Sequence, residues 1–106
     1  RALYAERRDK ALEILNEIPG INCLKPQGAF YLYPFCGALM GKHTPAGALI
    51  ANDTDLAAYL LDAVGVAVVP GAAFGLSPYF RISYALETDR LVEACHRISR
   101  AIQALR

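Results

Sequence analysis

The chain has 106 residues, of which 55% are hydrophobic and 20% charged, with a formal net charge of +1. This length and balance predict one folded globular domain. The near-neutral charge argues against a nucleic-acid or membrane-surface partner, and because charges, Gly or Pro interrupt the apolar runs, we expect no membrane span.

The three cysteines are odd in number and contain no C-x-x-C pair. They predict buried thiols in a reduced, cytoplasmic protein rather than a disulfide framework. The two histidines, His43 and His96, have no ligand spacing with a neighbouring Cys, Asp or Glu, so no metal site is predicted. A catalytic pair of Cys36 and His43 is disfavoured.

The first segment has the periodicity of a helix that ends at Pro19. Its apolar residues recur at spacings of seven, four and three: Tyr4, Ala11, Leu15 and Ile18. Because the chain starts inside this pattern, without Met or a capping residue, we expect it to be a piece of a longer protein.

Short strands are predicted over residues 21–24 and over the aromatic residues 29–33. We expect Tyr31, Tyr33 and Phe35 to belong to the sheet core rather than to a stacking platform. Residues 35–53 are Gly-rich and aperiodic, which predicts a long loop of functional or mobile character, with no role assigned.

A second helix is predicted to begin at a cap formed by Asp53 or Thr54 and to end at Gly65. Its buried face is expected to hold Leu56, Leu60 and Ala63. Residues 66–69 predict an apolar strand, and residues 70–75 a tight loop of small residues.

Residues 77–85, SPYFRISYA, predict the next strand, and Thr88 is expected to cap the last helix. The apolar stripe of that helix is Leu91, Cys95, Ile98, Ile102 and Leu105. Its solvated face is expected to hold Arg90, Arg97, Arg100 and Arg106. The order of elements predicts an α/β two-layer sandwich, a small largely antiparallel or mixed sheet with helices packed on one face.

Arg81 is the candidate functional residue of the last strand. Because side chains alternate along a strand, Phe80 and Ile82 should face the helices and Arg81 the opposite side. From the pattern alone, a surface arginine lying along the sheet is the more common interpretation. The alternative is an anion receptor, because the planar guanidinium matches a carboxylate with two hydrogen bonds.

Three motifs, KPQGAFYLYP, VGVAVVPGAAFG and YFRISYA, occur in this order. Together they resemble the C-terminal small domain of the class I (fold type I) aminotransferases, most closely the bacterial aspartate aminotransferases. The resemblance covers residues 1–106. It implies a transaminase that uses pyridoxal 5′-phosphate to transfer an amino group between L-aspartate, or a related amino acid, and 2-oxoglutarate. It also implies a cytoplasmic homodimer whose N-terminal large domain is missing from this chain.

The resemblance also implies individual roles. The family's strand arginine, which binds the substrate α-carboxylate, corresponds to Arg81, and the phenylalanine that lines the substrate pocket corresponds to Phe30. Residues 70–75 would help place the small domain over the site. No catalytic, cofactor-binding or metal residue is assigned to this chain, because the lysine that forms the Schiff base belongs to the large domain. The motif around that lysine is absent from Lys10, Lys25 and Lys42.

Two alternatives remain open at this point. An aminotransferase of aromatic or alanine specificity would share the same domain, because α-carboxylate binding does not select a side chain. A non-enzymatic α/β module that binds a ligand or a partner chain would also look similar. As a domain of an aminotransferase, the isolated chain is expected to show no transamination and no measurable binding of dicarboxylates.

Overall fold

The computed structural model describes residues 2–25, 31–83 and 88–106. The helices in this part of the chain are α1 (Ala2–Asn16), α2 (Asp53–Val64) and α3 (Thr88–Gln103). The strands are β1 (Tyr31–Leu32), β2 (Val69–Pro70) and β3 (Phe80–Ser83), and two 3-10 helices cover Gly37–Leu39 and Gly71–Phe74. None of the described helices is long and apolar enough to span a membrane.

The sheet is antiparallel, with β3 between the two other strands. β1 pairs with β3 so that Leu32 lies opposite Ile82, and β2 pairs with β3 so that Val69 lies opposite Arg81. This confirms the predicted small α/β fold. The residues that β3 was expected to include beyond Ser83 lie outside the described part of the chain.

The two sides of β3 differ in burial as the alternation predicts. Phe80 and Ile82 are buried, whereas Arg81 and Ser83 are only half-buried. The apolar stripe predicted for α3 is also confirmed, since all five of its members belong to the hydrophobic core: Leu91, Cys95, Ile98, Ile102 and Leu105. Thr88, predicted to cap this helix, is its first residue.

The segment after α1 does not form the predicted strand over residues 21–24. Asn22 makes only an isolated antiparallel bridge with Phe35. The Asn16 side chain accepts a hydrogen bond from the Cys23 N–H (2.8 Å) and donates one to the Cys23 carbonyl (2.9 Å). Because a side chain already satisfies these backbone groups, they are not available for a strand ladder.

The start of α2 differs from the prediction by one residue. The cap is Asn52, whose side-chain oxygen accepts a hydrogen bond from the Asp55 N–H at 2.9 Å. Neither Asp53 nor Thr54 therefore caps the helix. Ala63, predicted to be buried, is exposed.

The end of α2 explains why β2 is shorter than predicted. Gly65 takes the left-handed conformation (φ 69°) that ends many helices, as predicted. The next N–H, that of Val66, then bonds to the Leu60 carbonyl at 3.3 Å and closes the helix. Pairing with β3 begins only at Val69.

The long loop predicted over residues 35–53 is confirmed up to residue 52, with one 3-10 helix inside it, and Asp53 already belongs to α2. The Gly41 N–H donates to the Ile50 carbonyl at 2.8 Å. His43 and Arg106 exchange two backbone hydrogen bonds of 2.7 and 2.8 Å. The loop is thus connected by backbone hydrogen bonds to itself and to the last residue of the chain.

Candidate functional site

Arg81 lies in the middle of β3, on the side of the sheet that faces away from the core. Its guanidinium carbon is 4.4 Å from the centre of the Tyr31 ring and 5.3 Å from the centre of the Phe74 ring. Both distances fall within the range of cation–π attraction. The position of the guanidinium therefore depends on two elements besides its own strand, β1 and the second 3-10 helix.

The ion pairs among the described residues lie elsewhere, on α1 and α3, and involve Arg8, Arg97 and Arg100. Within the described ranges, Arg81 has no carboxylate partner. Its contacts with the faces of aromatic rings do not use its N–H donors in hydrogen bonds. A planar, permanently charged donor group is thus available to bind a carboxylate.

The aromatic residues beside Arg81 form a continuous surface, which we call the aromatic face. Tyr33 and Phe74 meet edge to face, with ring centres 5.6 Å apart, and Phe35 and Tyr79 do the same at 5.4 Å. The aromatic face comprises Tyr31, Tyr33, Phe35, Phe74 and Tyr79.

The prediction that the aromatic residues of β1 and its continuation belong to the sheet core was wrong. Tyr31 is 38% exposed, and Tyr33 and Phe35 are half-buried. The buried residues of this stretch are instead the alternate ones, including Leu32 and Cys36. The two-residue period of an extended chain turns these to the helices and the aromatic rings to the Arg81 side.

The 3-10 helix Gly71–Phe74, which presents Phe74 to Arg81, is closely packed against the backbone. The Gly71 N–H donates to the Tyr79 carbonyl at 2.7 Å, and the Leu76 N–H donates to the Gly71 carbonyl at 2.8 Å. A Cβ atom at position 71 would overlap the Leu76 carbonyl oxygen, so only glycine fits there. The position of Phe74 is therefore set by backbone hydrogen bonds as well as ring contacts.

Phe30, the second predicted substrate-binding residue, lies within residues 26–30, outside the part of the chain that the structure describes. Its role stays a prediction. The residue that follows it, Tyr31, is the one whose ring contacts Arg81.

Two hollows elsewhere on the described surface differ in the charge of their lining. A groove of about 590 Å³ between residues 44–50 and α2 contains Asp55 and Asp62 but no cation. A hollow of about 460 Å³ borders the aromatic face at Tyr33 and Tyr79 and includes Lys25, which is exposed.

The cysteines are not placed for catalysis. The Cys36 thiol donates to the Pro78 carbonyl (3.3 Å), and burial together with the charge of Asp53 raises its pKa to about 12. Burial raises the pKa of Cys23 to about 11 and that of Cys95 to about 12. His43 is exposed. Among the described residues no group of three or more His, Cys, Asp and Glu side chains could hold a metal ion.

The family to which the chain belongs follows from comparison with known proteins. The model of the aminotransferase class I and II family matches residues 1–98. The chain therefore belongs to the class I and II aminotransferases, as the three motifs predicted.

Individual relatives have more specific names. The aspartate aminotransferase of Rhizobium meliloti (strain 1021) is 51% identical over 102 residues, which cover 96% of this chain and 25% of that protein. The "probable aspartate/prephenate aminotransferase" of Rhizobium leguminosarum bv. phaseoli is 50% identical over 100 residues, 94% of this chain and 25% of that protein.

A solved structure confirms the fold. The crystal structure of the aspartate aminotransferase from Rhizobium meliloti matches with a TM-score of 0.95 and 50% sequence identity, over 97% of this chain and 26% of that one. The chain thus spans about a quarter of the length of the relatives that it matches.

Proposed function

We propose that residues 1–106 form the C-terminal small domain of a pyridoxal-phosphate-dependent aminotransferase, and that Arg81 binds the α-carboxylate of its substrates. The proposed substrates are L-aspartate, or a related amino acid, and 2-oxoglutarate. The observation that carries the proposal is the Arg81 guanidinium, which contacts two aromatic rings and has no carboxylate partner in the described ranges. Family membership and the names of the relatives support the reaction class.

The described residues do not fit the cofactor itself. Pyridoxal phosphate needs a lysine amine activated by its surroundings and groups that bind a phosphate. Lys25 is exposed, Lys10 shares a hollow with the acidic Glu13 and Glu17, and Lys42 lies near Pro19. We therefore propose that the rest of the protein binds the cofactor, and we derive for this chain only its hold on the substrate.

The proposed hold has two parts. Two N–H groups of Arg81 would donate to the two oxygens of one carboxylate, which sets the direction of the bond from that carboxylate to the α-carbon. The aromatic face beside Arg81 would reduce the access of water and so strengthen the ion pair. Every amino acid and 2-oxo acid has this carboxylate, so Arg81 would serve both substrates without selecting a side chain.

Two further parts of the proposal follow the family motifs. We propose that Phe30 lines the substrate pocket, since it directly precedes Tyr31. We also propose that the turn over residues 70–75 helps to place this domain over the site, since Phe74 in it contacts Arg81.

We propose further that the full-length protein is a cytoplasmic homodimer. Three free, buried thiols are consistent with a reducing compartment, whereas the dimer rests on the family resemblance. Light scattering coupled to size-exclusion chromatography of the full-length protein would give its mass, and a monomer would contradict the assembly.

The substitution Arg81→Lys in the full-length protein tests the proposed binding of the α-carboxylate by Arg81. Lysine keeps the charge but loses the two-pronged donor, so kcat/KM for L-aspartate should fall about 10- to 150-fold, the worth of one charged hydrogen bond. The matched control is Arg90→Lys, because Arg90 is exposed and belongs to α3 rather than to the sheet. An unchanged kcat/KM in Arg81→Lys would rule Arg81 out as the carboxylate site.

The same kinetic assay tests the proposed substrates independently of the proposed role of Arg81. L-Alanine and L-phenylalanine serve as competing amino donors, and prephenate, which the name of one relative mentions, as an alternative acceptor to 2-oxoglutarate. We expect the highest kcat/KM with L-aspartate. A preference for another donor would overturn the proposed specificity and leave the role of Arg81 in place.

A further inference from the structure

Asp53 is a buried carboxylate whose role the proposed function does not explain. Its residue is only 1% exposed, at the first position of α2. One oxygen, Oδ1, accepts a hydrogen bond from the Ala72 N–H at 3.3 Å. The other, Oδ2, has no hydrogen-bond partner among the described residues. Burial of a carboxylate is unfavourable unless the carboxylate is hydrogen-bonded. The hydrogen bond from the Ala72 N–H offsets part of this cost, and the elements that it connects indicate the role of Asp53.

That contact connects α2 to the neighbourhood of Arg81. Ala72 belongs to the 3-10 helix Gly71–Phe74, and the Phe74 ring at its end lies 5.3 Å from the Arg81 guanidinium carbon. The backbone hydrogen bonds of Gly71 connect this turn to residues that follow it in sequence, Leu76 and Tyr79. Asp53 instead connects it to another helix.

We infer that Asp53 is a positioning residue for substrate binding. Its carboxylate holds the Gly71–Phe74 turn against α2 and thereby keeps Phe74 against the Arg81 guanidinium. The inference rests on the proposed function of Arg81 and extends it to a residue that touches neither Arg81 nor the substrate.

Asp55 is the control that distinguishes this role from stabilisation of α2 alone. An acidic residue in the first turn stabilises a helix through its dipole, and both Asp53 and Asp55 occupy the first turn of α2. The Asp55 carboxylate, however, accepts from the Ala51 N–H at 3.0 Å and so acts within the start of the helix. Asp55 shares with Asp53 its charge and the first turn of α2, but its carboxylate bonds to Ala51 rather than to the Gly71–Phe74 turn.

The test compares Asp53→Leu, Asp53→Asn and Asp55→Leu in the full-length protein. Leucine has a similar size and no acceptor, and it also removes a buried oxygen, Oδ2, that has no hydrogen-bond partner among the described residues, which offsets the loss of the bond to Ala72. We therefore expect Asp53→Leu to keep its circular dichroism spectrum and its Tm. Asparagine still offers an oxygen to Ala72 and should restore wild-type binding.

The readout is binding of succinate, an unreactive dicarboxylate, together with the steady-state constants for L-aspartate. Asp53→Leu should raise the Kd of succinate and the KM for L-aspartate roughly two- to fivefold, the worth of one exposed cation–π contact, with a smaller change in kcat. Asp55→Leu should bind succinate as the wild type does. The inference is overturned if Asp53→Leu binds succinate normally, if Asn fails to restore binding, or if Asp55→Leu weakens binding equally.

A double-mutant cycle with Phe74→Leu tests whether Asp53 affects succinate binding through Phe74. If Asp53 acts through Phe74, the double variant should bind succinate no more weakly than Phe74→Leu alone. The inference would be overturned if the increases in the Kd of succinate caused by the two single substitutions multiply in the double variant. Normal succinate binding by Phe74→Leu would also overturn it, and that result does not depend on the folding of any Asp53 variant. Should Asp53→Leu not fold, Asp53→Ala replaces it in the cycle.

Arg81→Lys in the same binding assay keeps the two proposals apart. Normal succinate binding by Arg81→Lys would refute the proposed function. Weak binding by Arg81→Lys with normal binding by Asp53→Leu would refute only the role of Asp53.

Discussion

The two sides of β3 carry different tasks within three consecutive residues. Phe80 and Ile82 face the helices and are 0% and 5% exposed, whereas Arg81 between them is half-buried and contacts the rings of Tyr31 and Phe74. The core side gains free energy from burial of apolar surface, and the other side gains little from burial. Substitutions on the two sides should therefore separate stability from substrate binding.

The largest effect is expected for Phe80→Ala. Phe80 is fully buried, and its loss should lower the free energy of unfolding by about 3–5 kcal/mol, because the cavity cannot be refilled. Urea denaturation of the 106-residue chain, followed by circular dichroism, measures the change. Arg81→Ala is the neighbouring control and should cost about 1 kcal/mol, the worth of its ring contacts. Equal losses for the two variants would contradict the division between the two sides.

An intermediate effect concerns the thiols on the core side. Because burial raises the pKa of Cys36 and Cys95 from 9.0 to about 12, few thiolates form near pH 8. Alkylation by iodoacetamide at pH 8 should be at least about a hundredfold slower in the folded chain than in 8 M urea, since the thiolate is the reactive species. The same shifts should lower the free energy of unfolding as pH rises from about 9 to about 12, because only the unfolded thiols ionise there. Rapid alkylation of all the thiols in the folded chain would show that they are not buried.

The smallest effect is expected for Tyr31→Leu in the full-length protein. The loss of one ring beside the Arg81 guanidinium should lower kcat/KM for L-aspartate roughly two- to fivefold. Tyr31→Phe keeps the ring and should stay close to the wild type. The free energy of unfolding should change by less than about 0.5 kcal/mol in both, since Tyr31 lies on the surface. Indistinguishable kinetics for the Leu and Phe variants would show that the ring does not assist Arg81.

Local patterns in the sequence were sufficient for several features. The apolar stripe of α3 and the opposite orientations of Phe80 and Arg81 depend only on the periods of helix and strand, which every residue obeys without reference to the rest of the chain. The family could also be predicted, because its three motifs are contiguous stretches. Asn52 was missed as the cap of α2, although it stands directly before the two candidates that were considered and has the same capping chemistry.

Other features depended on which segments meet. The exposure of Tyr31, Tyr33 and Phe35 is an exception, because their own alternation was a sufficient signal for it. The contact of Phe74 with Arg81 and the bond from Ala72 to Asp53 join residues that no motif or period relates.

By itself, then, the sequence determined the family, the helices of the fold and the side of the strand on which Arg81 lies. The tertiary structure decided which rings surround the guanidinium, and that a buried carboxylate on α2 accepts a hydrogen bond from the turn that carries one of them. The physical reason is that periodicity is a property of one segment, whereas a contact between segments depends on the packing of the whole chain.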